Sequence, residues 1–353
     1  MAGLMPPLFA QDSMAPAQIP PAGLAVEDVP QFVMIGFDDN PKVDSMAWIV
    51  DFLADKRNPV GTDQAATFDG VPARAAFYSN GKYLDPSRKL RELHRRAWRE
   101  GHEIGNHTYN HDQGAEFTAE EWKQALGRNR QALLKAQIPA AAQQGYRTPF
   151  LAYNAATFEA LADRGFVYDS SIEEGYQADQ DGTNFYWPYT LDEGSPGNQL
   201  AVEWGSKELV ARHPGLWEIA LHVFLVPDDK TGERYGVPVG MRNRVREGMQ
   251  AGGWEWSVEP GKITGLDWNV FEQARLSGGD FLAILKYTLD LRLAGNRAPL
   301  MVGAHTHLFP ESEPVRRAAM EVFIRYALSK PAVRLVTPQQ MLQWLRDPVA
   351  LGE

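Results

Sequence analysis

The chain has 353 residues, 44% hydrophobic and 23% charged, with 31 Gly and 24 Pro; such globular composition excludes a disordered, collagenous or coiled-coil chain. It contains no Cys, which excludes disulfides, cysteine-ligated zinc, iron–sulfur clusters and thiol catalysis. With 35 Lys+Arg against 45 Asp+Glu the formal charge is −10, so neither a nucleic-acid nor an anionic-membrane partner is expected, since both need clustered cations.

Residues 1–30 are rich in Pro and Ala and lack periodicity, which predicts an extended arm preceding a single domain over residues 31–353. No positive side chain precedes Lys42, so a complete signal peptide is not legible. Leu8-Phe9-Ala10-Gln11-Asp12 nevertheless places a small residue before a polar start, as cleavage sites do, and a secreted or periplasmic protein is the expectation. No run approaches the roughly 18 apolar residues of a membrane span.

The apolar run Gln31–Phe37 predicts a buried strand, and the spacing of Val43, Met46, Ala47, Ile49, Val50, Leu53 and Ala54 predicts a helix over Val43–Ala54 after it. A strand over Ala73–Tyr78, a helix over Pro86–Glu100 and a short strand over Glu103–Gly105 follow. Thr118-Ala-Glu-Glu121 is a capping box that opens the next helix. Gly145–Pro149, a helix over Asn154–Arg164 and a strand over Phe166–Tyr168 continue the alternation. It resumes with helix Asp280–Ala294, strand Pro299–Ala304, helix Glu313–Leu328 and strand Val333–Val336. A last helix is capped by Thr337-Pro-Gln-Gln340. Alternating strands and helices predict an α/β fold with parallel strands, here a distorted (β/α) barrel of about seven strands. Residues 173–279 interrupt the rhythm and carry six of the ten Trp. They are expected to be a long aromatic-rich insertion of substrate-binding loops and short strands decorating one end of the barrel, not a separate domain. No GxGxxG or GxxxxGK[ST] loop follows the first strand, so nothing points to a dinucleotide or phosphate site.

Three stretches carry chemistry. Asp38-Asp39 ends the first strand before an Asn-Pro turn, and in parallel α/β folds strand C-termini bear the site. His107 and His111 stand four apart, which on a helical turn puts both imidazoles on one side. Two neutral imidazoles and a carboxylate make a zinc ligand set with a position left for water, and the second Asp remains as a base. His305-Thr306-His307 follows another apolar strand, and either imidazole is a candidate general acid. Each stretch alone also reads as an ordinary turn or surface pair. Together, on one rim, they favour a metal-dependent hydrolase.

These residues resemble the polysaccharide deacetylases of carbohydrate esterase family four, the NodB-homology family, in motif order over roughly residues 30–346. Phe37-Asp38-Asp39 is similar to the TFDD motif, with Gly36 in place of the usual Thr. His107-Thr-Tyr-Asn-His111 resembles H-[ST]-x-x-H, and Arg147-Thr-Pro-Phe150 resembles R-x-P-Y with Phe for Tyr. Tyr168-Asp-Ser-Ser171 is similar to the family's next strand, and His305 matches the final motif, although Gly303 replaces its usual Leu. Trp187-Pro-Tyr-Thr-Leu191, Pro214-Gly-Leu-Trp-Glu218, Asn296–Leu300 and Val336–Trp344 look like the chitin deacetylase branch.

The resemblance implies that Asp39, His107 and His111 bind Zn²⁺, with Co²⁺, Ni²⁺ or Mn²⁺ also fitting such a set. It implies Asp38 as base, held by Arg147, and the Phe150 backbone N–H as an oxyanion donor. It implies His305 as acid, His307 being the alternative, and Asp169 as the group that orients Arg147 or His305. Trp217 and Trp187 are the expected sugar platforms, and an N-acetylated glycan is the expected substrate. The motifs do not separate chitin oligomers from peptidoglycan, but the branch resemblance implies hydrolysis of the N-acetyl groups of N-acetylglucosamine units in chitin or chitooligosaccharides with release of acetate. Peptidoglycan, acetylxylan and a glycan-binding relative without turnover are the alternatives. The oligomeric state is not legible.

Overall fold

The computed structural model describes residues 12–352; the cleavage-like stretch at Leu8–Gln11 lies outside them. Strands β1 (Gln31–Asp39), β2 (Ala76–Ser79), β3 (Glu103–Asn106), β4 (Gly145–Tyr146) and β5 (Tyr168–Asp169) pair in parallel in that order. The interrupting segment supplies β6 (Glu173–Glu174), β7 (Tyr189–Leu191), β8 (His213–Glu218), β9 (Leu221–His222), β10 (Phe224–Leu225) and β11 (Lys262–Ile263). Parallel β12 (Leu300–His305) and β13 (Val333–Leu335) complete the set, both pairing with β1. The main sheet runs β12-β1-β2-β3-β4-β5-β8-β7, with only the β7–β8 pair antiparallel. It is a curled, incompletely closed barrel of mostly parallel strands, as the alternation predicts.

The two faces of β1 explain its unbroken apolar run. Val33, Ile35 and Phe37 pack with the outer helices, among them Val43–Leu53, Gly278–Ala294 and Pro314–Leu328. Phe32 and Met34 pack with Tyr78, Tyr168, Trp217 and Trp344 on the other side. Side chains alternate along a strand, so Gly36 and Asp38 share the second face. The predicted capping boxes at Thr118–Glu121 and Thr337–Gln340 are both formed. Helix Arg88–Arg99 starts later than expected, because Ser87 caps it by accepting the Leu90 N–H (3.2 Å), and a separate turn of helix at Gly81–Leu84 precedes it.

Two expectations change. In residues 173–279 the expected loops and short strands do more than decorate one end: β8 lies parallel to β5 and extends the barrel wall, and helices Pro196–Glu203 and Met241–Ala251 lie between the short strands. Residues 12–30 do form an extended arm, but a docked one. The Trp187 N–H donates to the Ala17 carbonyl (2.9 Å) and the Thr190 N–H to the Met14 carbonyl (2.8 Å), covering the outer edge of the sheet. Asp12 accepts from Trp217 Nε1 (2.8 Å) and pairs with Arg346 (2.7 Å) in the last helix. Among the described residues no helix is long and apolar enough to cross a membrane.

Candidate active site

Asp38 and Asp39 end β1, His107 and His111 follow β3, Arg147 follows β4, and His305 ends β12. The parallel register therefore gathers them at the C-terminal rim, with Asp38 directly opposite His305. The two Asp differ in surroundings. Asp38 is 3% exposed and accepts from Arg147 Nη1 (2.9 Å). Arg147 is fully buried; its Nε donates to the Ser170 carbonyl (2.9 Å) and Nη2 to Ser170 Oγ (3.0 Å), and its guanidinium lies over the Tyr78 ring. A buried guanidinium fixed at each nitrogen is a rigid clamp for one carboxylate. It also explains Gly36: a Cβ there would stand 2.9 Å from Arg147 Nη1 and 2.8 Å from Tyr78 Cε2.

Asp39 has no such clamp. Its Oδ1 is buried without a hydrogen-bond partner, 3.1 Å from His111 Nε2 and 3.6 Å from His107 Nε2. His107 Nδ1 lies 2.7 Å from the Arg147 carbonyl, an acceptor only, so Nδ1 carries the proton and the Nε2 lone pair faces Asp39. Burial lowers both imidazoles to about 3, keeping them neutral, while burial and the charge of Asp38 raise Asp39 to about 6 against the pull of His305. Lone pairs converging on an unpaired carboxylate oxygen, all ligand atoms within 4.8 Å of one another, are a donor set that fits a divalent cation.

The two imidazoles do not sit on a helical turn. Residues 107–111 form a loop in which Thr108 (φ 59°) and His111 (φ 60°) are left-handed. Asn80 Nδ2 donates to the His107 and Thr108 carbonyls, Asn106 Oδ1 accepts the Thr108 N–H (2.9 Å), and Thr108 Oγ1 accepts the His111 N–H (3.2 Å). Asn129 in turn donates to Asn106 Oδ1 (2.9 Å). These Asn side chains carry no periodic signal and are invisible in the sequence.

The acid candidates separate as well. His305 Nδ1 is 2.7 Å from Asp267 Oδ1, and the His305 N–H donates to Asp267 Oδ2 (2.8 Å). Burial disfavours the imidazolium, but Asp267, with Asp38 and Asp39, outweighs burial and raises His305 to about 9. His307 has no such partner: its Nδ1 is 3.9 Å from Asp39 Oδ2, and burial lowers it to about 4. Sequence reading missed Asp267, which opens the short helical stretch that runs on into Asn269–Gln273 after β11. It also misassigned Asp169, which orients neither Arg147 nor His305 by a hydrogen bond. Both Asp169 oxygens accept from Ser171, and the side chain is buried against Glu218, which burial and the Asp169 charge push well up.

Around the site lies a cleft of about 980 Å³. Phe150 lines it, its ring edge-on to His111 at 4.3 Å and its backbone left-handed (φ 56°). Trp217 and Trp187 do not line it. Both are 2% exposed; Trp217 is capped by Asp12 of the arm and Trp187 stacks on Trp344. The aromatic walls are Tyr176, Trp204, Trp254, Trp256 and Trp268.

Residues 26–168 match the family described as polysaccharide deacetylase. Across 94% of its length the chain is 24% identical to chitin deacetylase 8 and 23% identical to chitin deacetylase 1, both of Bombyx mori. It spans 74% of the first and 54% of the second. Among solved structures, a Mycobacterium smegmatis protein assigned by name to the polysaccharide deacetylases shares the fold. Its TM-score is 0.56 at 17% identity, covering 96% of this chain and 99% of that one. A Pseudomonas aeruginosa protein of the same assignment gives 0.52 at 14%, covering 90% and 92%.

Proposed function

From the premise that residues 26–168 carry a polysaccharide deacetylase domain, we propose that the protein is a metal-dependent deacetylase. In this reading it hydrolyses the N-acetyl groups of chitin-type glycans and releases acetate. The observation that carries it is the unpaired Asp39 Oδ1 facing two neutral imidazoles, beside a second carboxylate clamped by Arg147.

Asp39, His107 and His111 are the residues that would hold the metal, Zn²⁺ first and Co²⁺, Ni²⁺ or Mn²⁺ as alternatives. When bound, such an ion polarises the acetyl carbonyl and brings the pKa of water toward about 7. Asp38 accepts the proton of the attacking water, its carboxylate held and aimed by Arg147. The Phe150 backbone N–H donates to the oxyanion that forms. His305, protonated and oriented by Asp267, gives its proton to the departing sugar nitrogen as the C–N bond breaks. The aromatic cleft suits pyranose rings, whose C–H faces stack on indoles. The names of the Bombyx relatives support chitin over other acetylated glycans, and a polymer substrate of that kind favours action outside the cytoplasm.

Acetate release from N-acetylchitooligosaccharides, run with metal-loaded and chelator-stripped protein, tests the reading. Release only with metal is expected. Metal bound but no release sinks the chitin assignment, and peptidoglycan and acetylxylan are then assayed in turn.

A further inference from the structure

Glu173 is a half-buried carboxylate in the wall of the same cleft that the proposed chemistry does not use. It lies just beyond Ser170 and Ser171, which anchor Arg147 and the Thr148 N–H respectively, so its place is indexed to the reacting centre by the chain itself. Thr264 Oγ1 donates to Glu173 Oε1 (2.9 Å). The single Thr264 proton is thereby used, so in the 3.0 Å contact between Tyr176 Oη and Thr264 Oγ1 the tyrosine is the donor. The relay Tyr176 to Thr264 to Glu173 fixes one carboxylate oxygen and leaves the other to accept. Burial raises the Glu173 carboxyl, against the Thr264 hydrogen bond and against Lys207, which acts only across space: its Nζ donates to the Leu151 carbonyl (2.6 Å) and sits over the Tyr153 ring.

Tyr176 links this acceptor to a flat apolar face. The Trp204 ring is 59% exposed, lines the cleft, and is braced edge-on by Tyr176 at 5.6 Å. A fixed indole and a fixed carboxylate acceptor in the wall of one cleft make a binding place for a ring that carries a donor. An ammonium satisfies it best, because a charge-assisted hydrogen bond is roughly twice as strong as a neutral one.

Resting on the deacetylase reading, we propose that Trp204 and Glu173 form a specificity subsite for a sugar unit bearing a free amine. Trp204 stacks the ring and Glu173 accepts from the ammonium. The protein then favours glycans in which a unit near the reacting one is already deacetylated.

The test titrates the intrinsic fluorescence of metal-loaded protein with two tetramers, one of N-acetylglucosamine and one of glucosamine. The readout is the ratio of the two affinities. Glu173→Gln is expected to lower glucosamine-tetramer affinity about tenfold while the acetylated tetramer changes by less than about twofold, so the ratio falls. Thr264→Val, which frees the carboxylate without removing it, moves the ratio the same way by less. Trp204→Ala weakens both tetramers alike. Salt erodes the wild-type ratio but not that of Glu173→Gln. A ratio unchanged in Glu173→Gln, or both affinities unchanged in Trp204→Ala, overturns the subsite. Acetate release is assayed separately: its absence on every glycan removes the deacetylase reading, and the affinity ratio still decides the subsite.

Discussion

Two neighbouring carboxylates, Asp38 and Asp39, are given different tasks by what touches them. A guanidinium fixes the first, and two imidazoles leave the second as a buried acceptor in need of a cation. The same logic separates His305 from His307, because only His305 has Asp267 behind it. An acid must hold its proton at working pH, and raising His305 to about 9 extends its protonated form well above neutrality. Asp267→Asn removes the largest raising charge and leaves burial, which lowers the pKa, opposed only by the smaller pull of Asp38 and Asp39. The alkaline limb of the pH–rate profile should therefore move down by about 1–3 units, with little change on the acid side. An unmoved alkaline limb would remove His305 from the acid role.

At the level of elements, periodicity and capping made most of the barrel legible. The β1 run, the Val43–Leu53 spacing and the capping boxes at Thr118 and Thr337 all led to the right elements, because each is a local property. The rim residues were readable because strand ends place them there. What stayed hidden is non-local. Asp267 lies 38 residues before the histidine it orients, at the start of a short helical stretch that the strand–helix alternation does not mark. Trp187 and Trp217 look like sugar platforms in a Trp-rich stretch, yet β8 carries Trp217 into the wall and the arm covers both. Gly36 reads as the loss of a hydroxyl until the space beneath it is found filled by Arg147. The arm has its own consequence. Deleting residues 1–18 uncovers two indoles, at a cost of about 1.5–3 kcal/mol for each apolar side chain exposed. Tryptophan emission should shift to longer wavelength and the Tm should fall. Unchanged emission would mean that the arm contributes nothing to burying them.

For the molecule as a whole, the rim couples binding to folding. Its metal-ligand candidates come from two separate strand ends, β1 and β3, and only the folded barrel brings them together. A ligand that binds only the folded state stabilises it, by about 2.7 kcal/mol at a hundredfold excess over Kd. Zn²⁺ should then raise the Tm of the chelator-stripped protein by about 3–6 °C. His107→Ala should lose that increment, whatever the substrate proves to be. An equal rise in His107→Ala would place the metal elsewhere.

The rim is also where the backbone is least comfortable. Asp39, Asn40, Thr108, His111, Phe150 and Leu151 all have positive φ without being glycine, a conformation that costs of order 1–3 kcal/mol each and persists only where the surroundings impose it. The cleft is thus held open by the rest of the barrel against local preference. In any search for hardier variants, glycine at Thr108 or Phe150 would relax the chain at the point where aim matters most. Selection on heat resistance alone would therefore erode turnover first, and robustness gained without that loss must come from the helices and the far end of the sheet.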